Sequence, residues 1–151
     1  DVETKDIGKW DQRIKIIKRL RKLRKNPSIR VRLLMTTGCI EYWLMLHFKI
    51  FAPPVLTVAD KERMLAEVVA REPAYEKGDY ETTARIAEKY PTAVKNAQKT
   101  LHNLLPDGLP GLEDTDERNR WLHTNCKTFS TVNEAIIFLE QLKKMKDIEG
   151  Y

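Results

Sequence analysis

The sequence is poor in the residues from which most catalytic and metal centres are built. It has two cysteines, Cys39 and Cys126, and three histidines, His47, His102 and His123. One thiol lies in an apolar stretch and the other in a polar one, which excludes the disulfide framework of a secreted mini-protein. His123-Thr-Asn-Cys126 has the spacing of half a zinc site. A structural zinc needs four ligands, and neither His47 nor His102 has a cysteine nearby. Cys126 with His123 or His102 lacks a third group to orient the pair and anything to lower the thiol pKa. No GxGxxG, GxxxxGK[ST] or GxSxG motif is present. Glu113, Asp114, Asp116 and Glu117 lack the central glycine of a calcium loop and read as a solvated lead-in to a helix. We therefore expect no catalytic, cofactor-binding or metal-binding residues and no cofactor.

No secretory leader is expected from these residues. The apolar stretch lies too far into the chain, and no small-residue cleavage pattern follows it. The first residue is Asp1, which fits a processed precursor as well as a shortened chain.

What is abundant is charge, unevenly spread. The 151 residues are 32% charged and 42% hydrophobic, which fits neither bulk disorder nor a multi-span membrane protein. The net charge is +5, yet residues 1–32 carry twelve Lys/Arg against four Asp/Glu, while residues 57–151 carry fourteen against seventeen. All the basic excess is amino-terminal.

Three regions follow. Residues 1–28 form a basic arm. Trp10, Ile14, Ile17, Leu20 and Leu23 recur at helical spacing, with Ile16 widening the stripe, which predicts a basic amphipathic helix stopped by Asn26-Pro27. Ser28 is placed to cap the next helix. Residues 29–56 read as one long apolar helix ended by Pro53-Pro54. Its Leu33–Phe51 portion has 19 residues, about the length of a bilayer span. Against free contact with lipid stand Glu41, the central Tyr42-Trp43, His47 and Lys49. Glu41 needs a partner, so it is expected to make a buried polar contact to a neighbouring protein surface.

Residues 57–151 read as a small bundle of short helices. Thr57-Val-Ala-Asp60 resembles a capping box and opens a helix to Arg71. Gly78-Asp79 opens a helix over 80–90. Pro91 breaks the chain, and Thr92 to Leu105 forms another helix with Val94, Ala97, Leu101 and Leu104 inward. Asp116 to His123 is a short helix. Thr131-Val-Asn-Glu134 is a full capping box before a last helix to Lys146. Its core side is expected at Ile136, Phe138 or Leu139, Leu142 and Met145. The class is all-α.

Ten basic residues are the candidates for facing a partner, lipid or phosphate: Arg13, Lys15, Lys18, Arg19, Arg21, Lys22, Arg24, Lys25, Arg30 and Arg32. A cationic block beside an apolar helix is the pattern that orients a membrane span. The expected job is thus that of a non-catalytic accessory subunit of a large membrane complex, with a structural and assembly role. A respiratory-chain or ATP synthase complex of the mitochondrial inner membrane fits best. The expected partners are the other subunits and anionic lipid headgroups at the arm. The alternative is an RNA-binding structural protein of an organellar ribosome or another ribonucleoprotein, in which the arm tracks phosphates.

Overall fold

Helical periodicity in the arm becomes burial on one side only. In the computed structural model, which describes residues 1–23 and 31–149, a 3₁₀ helix Thr4–Lys9 leads into α1, Trp10–Leu23. Trp10, Ile14 and Ile17 are buried against Val31 and Leu33, while Ile16, Leu20 and Leu23 stay exposed. The expected stop at Asn26-Pro27 and the cap at Ser28 lie outside the described residues.

The long apolar helix does not form. Residues 31–39 form no helix, with isolated bridges at Thr36 and Thr37 and a bend at Gly38, α2 is the six-residue helix Ile40–Met45, and residues 49–56 are again without helix. Among the described residues no helix is long and apolar enough to cross a membrane. The reason is pairing with distant chain. Val2 N–H donates to Thr36 O (2.8 Å), and Gly38 N–H donates to Val2 O (3.0 Å). On the other edge Thr37 N–H donates to Phe129 O (3.1 Å), and Thr131 N–H donates to Met35 O (2.8 Å). Thr36 and Thr37, β-branched and followed by glycine, suit an extended backbone better than a helix. The contacts amount to isolated bridges, Val2 with Thr37 and Thr36 with Ser130.

The apolar run is apolar because the rest of the same chain surrounds it. Tyr42 to Leu46 join Val55, Met64, Val68, Tyr75, Ile86, Ala93 and Ala97 in one core cluster. The Tyr42 hydroxyl donates to Phe51 O (3.0 Å), and Asn96 Nδ2 donates to Leu46 O (2.8 Å), so the segment after α2 is tied down at both ends. His47 is buried, and its Nδ1 lies 3.1 and 3.2 Å from the carbonyl oxygens of Trp43 and Leu44. Carbonyl oxygens only accept, so Nδ1 carries the proton.

The helices after it follow local rules. α3, Val58–Arg71, starts with a capping box in which the Thr57 side chain accepts from Asp60 N–H and the Asp60 carboxylate accepts from Thr57 N–H. Those amide bonds, with the Thr57 hydroxyl, hold the Asp60 carboxyl down to about 2. α4 is Tyr80–Ala87, capped by Asp79. α5 is Tyr90–His102, and Pro91 sits inside its first turn rather than breaking the chain, a position where the missing N–H costs nothing. α6 is Asp116–Asn125, capped by Thr115 and ended by Cys126 at φ 48°.

α7, Val132–Glu149, starts where expected but not by the expected cap. Thr131 Oγ1 accepts from Met35 N–H (2.9 Å) instead, and the Glu134 carboxylate turns to Arg118. Leu139, Leu142 and Met145, expected in the core, are exposed, because no described element covers α7 beyond its first half. A second cluster of Val2, Met35, Leu101, Leu104, Leu109, Leu122 and Phe129 ties the amino terminus to α5 and α6.

Candidate functional site

The basic arm separates into paired and unpaired cations. Lys15, Lys18, Arg19 and Lys22 are exposed, and none is in an ion pair among the described residues. Their spacing is i, i+3, i+4, i+7, which places them on one face of α1. The remaining described cations are structural. Arg13 pairs with Asp6 (3.0 Å) and contacts His123. Arg21 pairs with Asp116 (3.0 Å). Arg32 lies 3.7 Å from Asp114 and stacks 5.8 Å above the Phe138 ring. Arg24, Lys25 and Arg30 lie outside the described residues.

Glu41, expected to contact a neighbouring protein surface, makes its polar contacts within this chain. It is 4% exposed, in the first turn of α2. The Tyr75 hydroxyl donates to Glu41 Oε1 (3.3 Å), and Lys77 Nζ stands 3.9 Å from the same oxygen. Burial and the neighbouring Glu41 charge push the Tyr75 phenol up to about 12, so it remains a donor across the ordinary pH range. Burial also raises the Cys39 thiol. The oxygen faces a pocket of about 330 Å3 that Asp1, Glu3, Lys61 and Glu62 also line. Lys5 and Lys61 bond Glu3 and hold its carboxyl down to about 2. Among the described residues no group of three or more His, Cys, Asp or Glu is placed to hold a metal ion.

The acidic run 113–117, expected to be solvated, instead turns Asp114 inward to Arg118, a residue for which no site role was expected. Arg118 has no exposed surface. Its guanidinium bonds the Glu134 carboxylate, Asp114 Oδ1 (3.4 Å), Asn119 Oδ1 (2.8 Å) and Leu112 O (2.8 Å). Asp114 is thus a structural anion shared with Arg32. The only hint in the sequence is an arginine four residues after an aspartate, a common surface pair on helices.

His123 is buried, beside Trp10 at 5.4 Å between rings. Arg13 Nη1 stands 2.9 Å from its Nε2. A guanidinium only donates, so Nε2 accepts, the ring is neutral, and Nδ1 carries a proton with no partner. Burial and the Arg13 charge lower the His123 pKa, and burial lowers that of His47. Between each folded value and the ordinary 6.5 the unfolded chain binds more protons than the folded one. Stability therefore rises with pH in that window and is lost as pH falls below about 6.5. Urea unfolding is expected to give a lower midpoint at pH 5.5 than at pH 7.5. His123→Gln is expected to flatten the difference. Glu3 and Asp60, held at about 2, add their own loss only below about pH 4.5. Equal midpoints at the two pH values would remove this account of the histidines.

The RloB-like protein family matches residues 1–136, from the first residue to the second turn of α7. This chain belongs to the RloB-like protein family. No similar curated protein and no similar solved structure was found. The match takes in both α1 and the Glu41 pocket of the RloB-like chain, whereas the exposed half of α7 lies past its end.

Proposed function

We propose that this RloB-like chain binds nucleic acid through the phosphate backbone, with α1 as the docking helix. One observation carries the reading: α1 is anchored by Trp10, Ile14 and Ile17 while Lys15, Lys18, Arg19 and Lys22 face outward without carboxylate partners among the described residues. A cationic stripe on a helix already anchored loses little backbone freedom when phosphates arrive, and each contact releases a condensed counterion.

Fluorescence anisotropy with labelled DNA and RNA oligonucleotides tests it. Four contacts predict a log–log salt slope of about −3 to −4. Lys18→Glu with Arg19→Glu is expected to weaken binding at least about tenfold and to reduce the slope by about 2. Both residues are exposed, so the fold should be unchanged by circular dichroism. Affinity and slope that match the unaltered protein would end the proposal.

A second reading, a non-catalytic subunit of a larger assembly, is supported by a different observation. Ile16, Leu20 and Leu23 on α1 and Leu139, Leu142, Met145 and Ile148 on α7 are exposed apolar side chains at helical spacing. Attachment to a membrane complex, the mitochondrial inner membrane included, then runs through partner subunits or anionic headgroups. It predicts release by alkaline carbonate and retention on the complex at neutral pH. Retention in the pellet at alkaline pH would contradict attachment by surface contacts.

A further inference from the structure

The basic arm is fastened to the rest of the chain by little apolar surface. Trp10, Ile14 and Ile17 form a cluster of their own with Val31 and Leu33, apart from the two larger cores. An element with few buried apolar contacts opens at a lower free energy than the whole fold. The chain ahead of it is tied down separately, Val2 to Thr36 and Glu3 to Lys61. The polar half of the attachment centres on His123 of α6, which is 1% exposed. Its Nε2 accepts from Arg13 Nη1 (2.9 Å), and the Trp10 ring lies 5.4 Å from the imidazole. A pocket of about 220 Å3 borders this joint, with Arg13, Leu33 and His123 in its wall, so the joint is not close-packed on that side.

The bond tolerates only a neutral ring. A proton on Nε2 turns the acceptor into a donor and sets an imidazolium against a guanidinium. Asp6 acts on the ring from the 3₁₀ helix, but its Oδ1 is held by Lys9 (3.0 Å) and its Oδ2 by Arg13 (3.0 Å). Asp1 lines the same pocket. Among residues 31–35 the one charged side chain, Arg32, is turned to Asp114, and on α6 itself Asp116 pairs with Arg21. Burial and the Arg13 charge outweigh Asp6 and keep the ring neutral. The Arg21–Asp116 pair is half exposed and adds little resistance to opening.

We propose that protonation of His123 releases the arm, residues 4–23, from α6 while the rest of the fold stays closed. The proton need not enter the closed joint. It binds the opened one, where the ring meets water, and mass action then populates that state. The opened ring titrates near the ordinary 6.5. Opening therefore gains up to about tenfold for each pH unit below that value, until the closed ring titrates too. Release bares Trp10, Ile14 and Ile17 and turns a docked helix into a free basic amphipathic one. The switch acts on how α1 is held, whatever α1 binds.

Amide hydrogen exchange of the full chain at pH 7.5 and 5.5, corrected for intrinsic rates, tests it. At both pH values the amides of residues 14–20 should be less protected than those of α3, which carries Met64 and Val68 in the main core. Protection at 14–20 should fall by up to about tenfold at pH 5.5. His123→Gln keeps an acceptor for Arg13 and cannot titrate, so its α1 protection should be the same at both values. Arg13→Gln is the second variant: its side-chain oxygen can accept from a protonated ring, and the pH response should again disappear. His47→Gln should leave the α1 response intact, because His47 bonds only carbonyls of its own helix. Protection in α1 equal to that in α3 would show that the arm opens only with the whole chain. Amides of α1 unprotected at pH 7.5 would show that the arm is not held at all. Either result, or a pH response that survives both substitutions, would overturn the proposal.

Discussion

Arg118→Met is expected to lower stability by about 3–5 kcal/mol, because it strands two carboxylates that the fold has gathered around one guanidinium. Arg118 has no exposed surface, and the Asp114 and Glu134 side chains keep only 19% and 13% of theirs. The side chain joins the loop before α6 to the start of α7 and is bonded to both. Methionine fills much of the volume, so the loss isolates the charge and its bonds. At about 2–4 °C per kcal/mol for a chain of this size, the thermal midpoint should fall by roughly 10 °C. Adding Glu134→Leu should return part of the loss, since the partner then leaves with the arginine. Urea unfolding read by circular dichroism checks both. A single-variant loss below about 1 kcal/mol would mean that solvent serves these carboxylates and that Arg118 is not their anchor.

Gly38→Ala is the second large effect. Gly38 stands at φ +75°, where a Cβ is disfavoured by about 1–2 kcal/mol. A Cβ there would also overlap the Val55 carbonyl oxygen and lie 2.6 Å from Val55 Cγ1. Val55 is fully buried in the core behind α2, so it has little room to give. The expected cost is at least about 3 kcal/mol, the conformational penalty plus overpacking. Gly78 is the control. Its φ is +89°, but nothing lies within 4 Å of the Cβ position, so Gly78→Ala should cost the conformational part alone. Equal losses at the two glycines in denaturant titrations would refute the close approach at Gly38. Because Gly38 directly precedes Cys39 and α2, the variant should also disturb Glu41 and weaken its contact with Tyr75.

Much of the second half was legible from local chemistry. The Thr57–Asp60 box, the Asp79 start and the stripe Ala97, Leu101, Leu104 depend on neighbours within one or two turns, so the residues alone define them. The stretch 31–56 was not. A segment buried on every side loses its periodicity, and an apolar run then reads equally as a buried helix or as buried extended chain. Thr36-Thr37-Gly38 was the available warning. At α7 the Thr131–Glu134 pattern marks the start of the helix but the box does not form, because Thr131 and Glu134 have tertiary partners at Met35 and Arg118.

By itself the sequence determined the helical class, the positions of the later helices and the concentration of positive charge in the first 32 residues, since propensity, capping and charge are local properties. Only the tertiary structure decided what the apolar stretch is. Val2 and Phe129–Thr131 supply backbone bonds from about 35 and 94 residues away, and those bonds hold Met35 to Gly38 in bridge pairing rather than in a helix. Only the tertiary structure likewise separated the cations of the arm. Asp6, His123, Asp114 and Asp116 come from other elements to engage Arg13, Arg21 and Arg32, and that leaves Lys15, Lys18, Arg19 and Lys22 as the outward stripe.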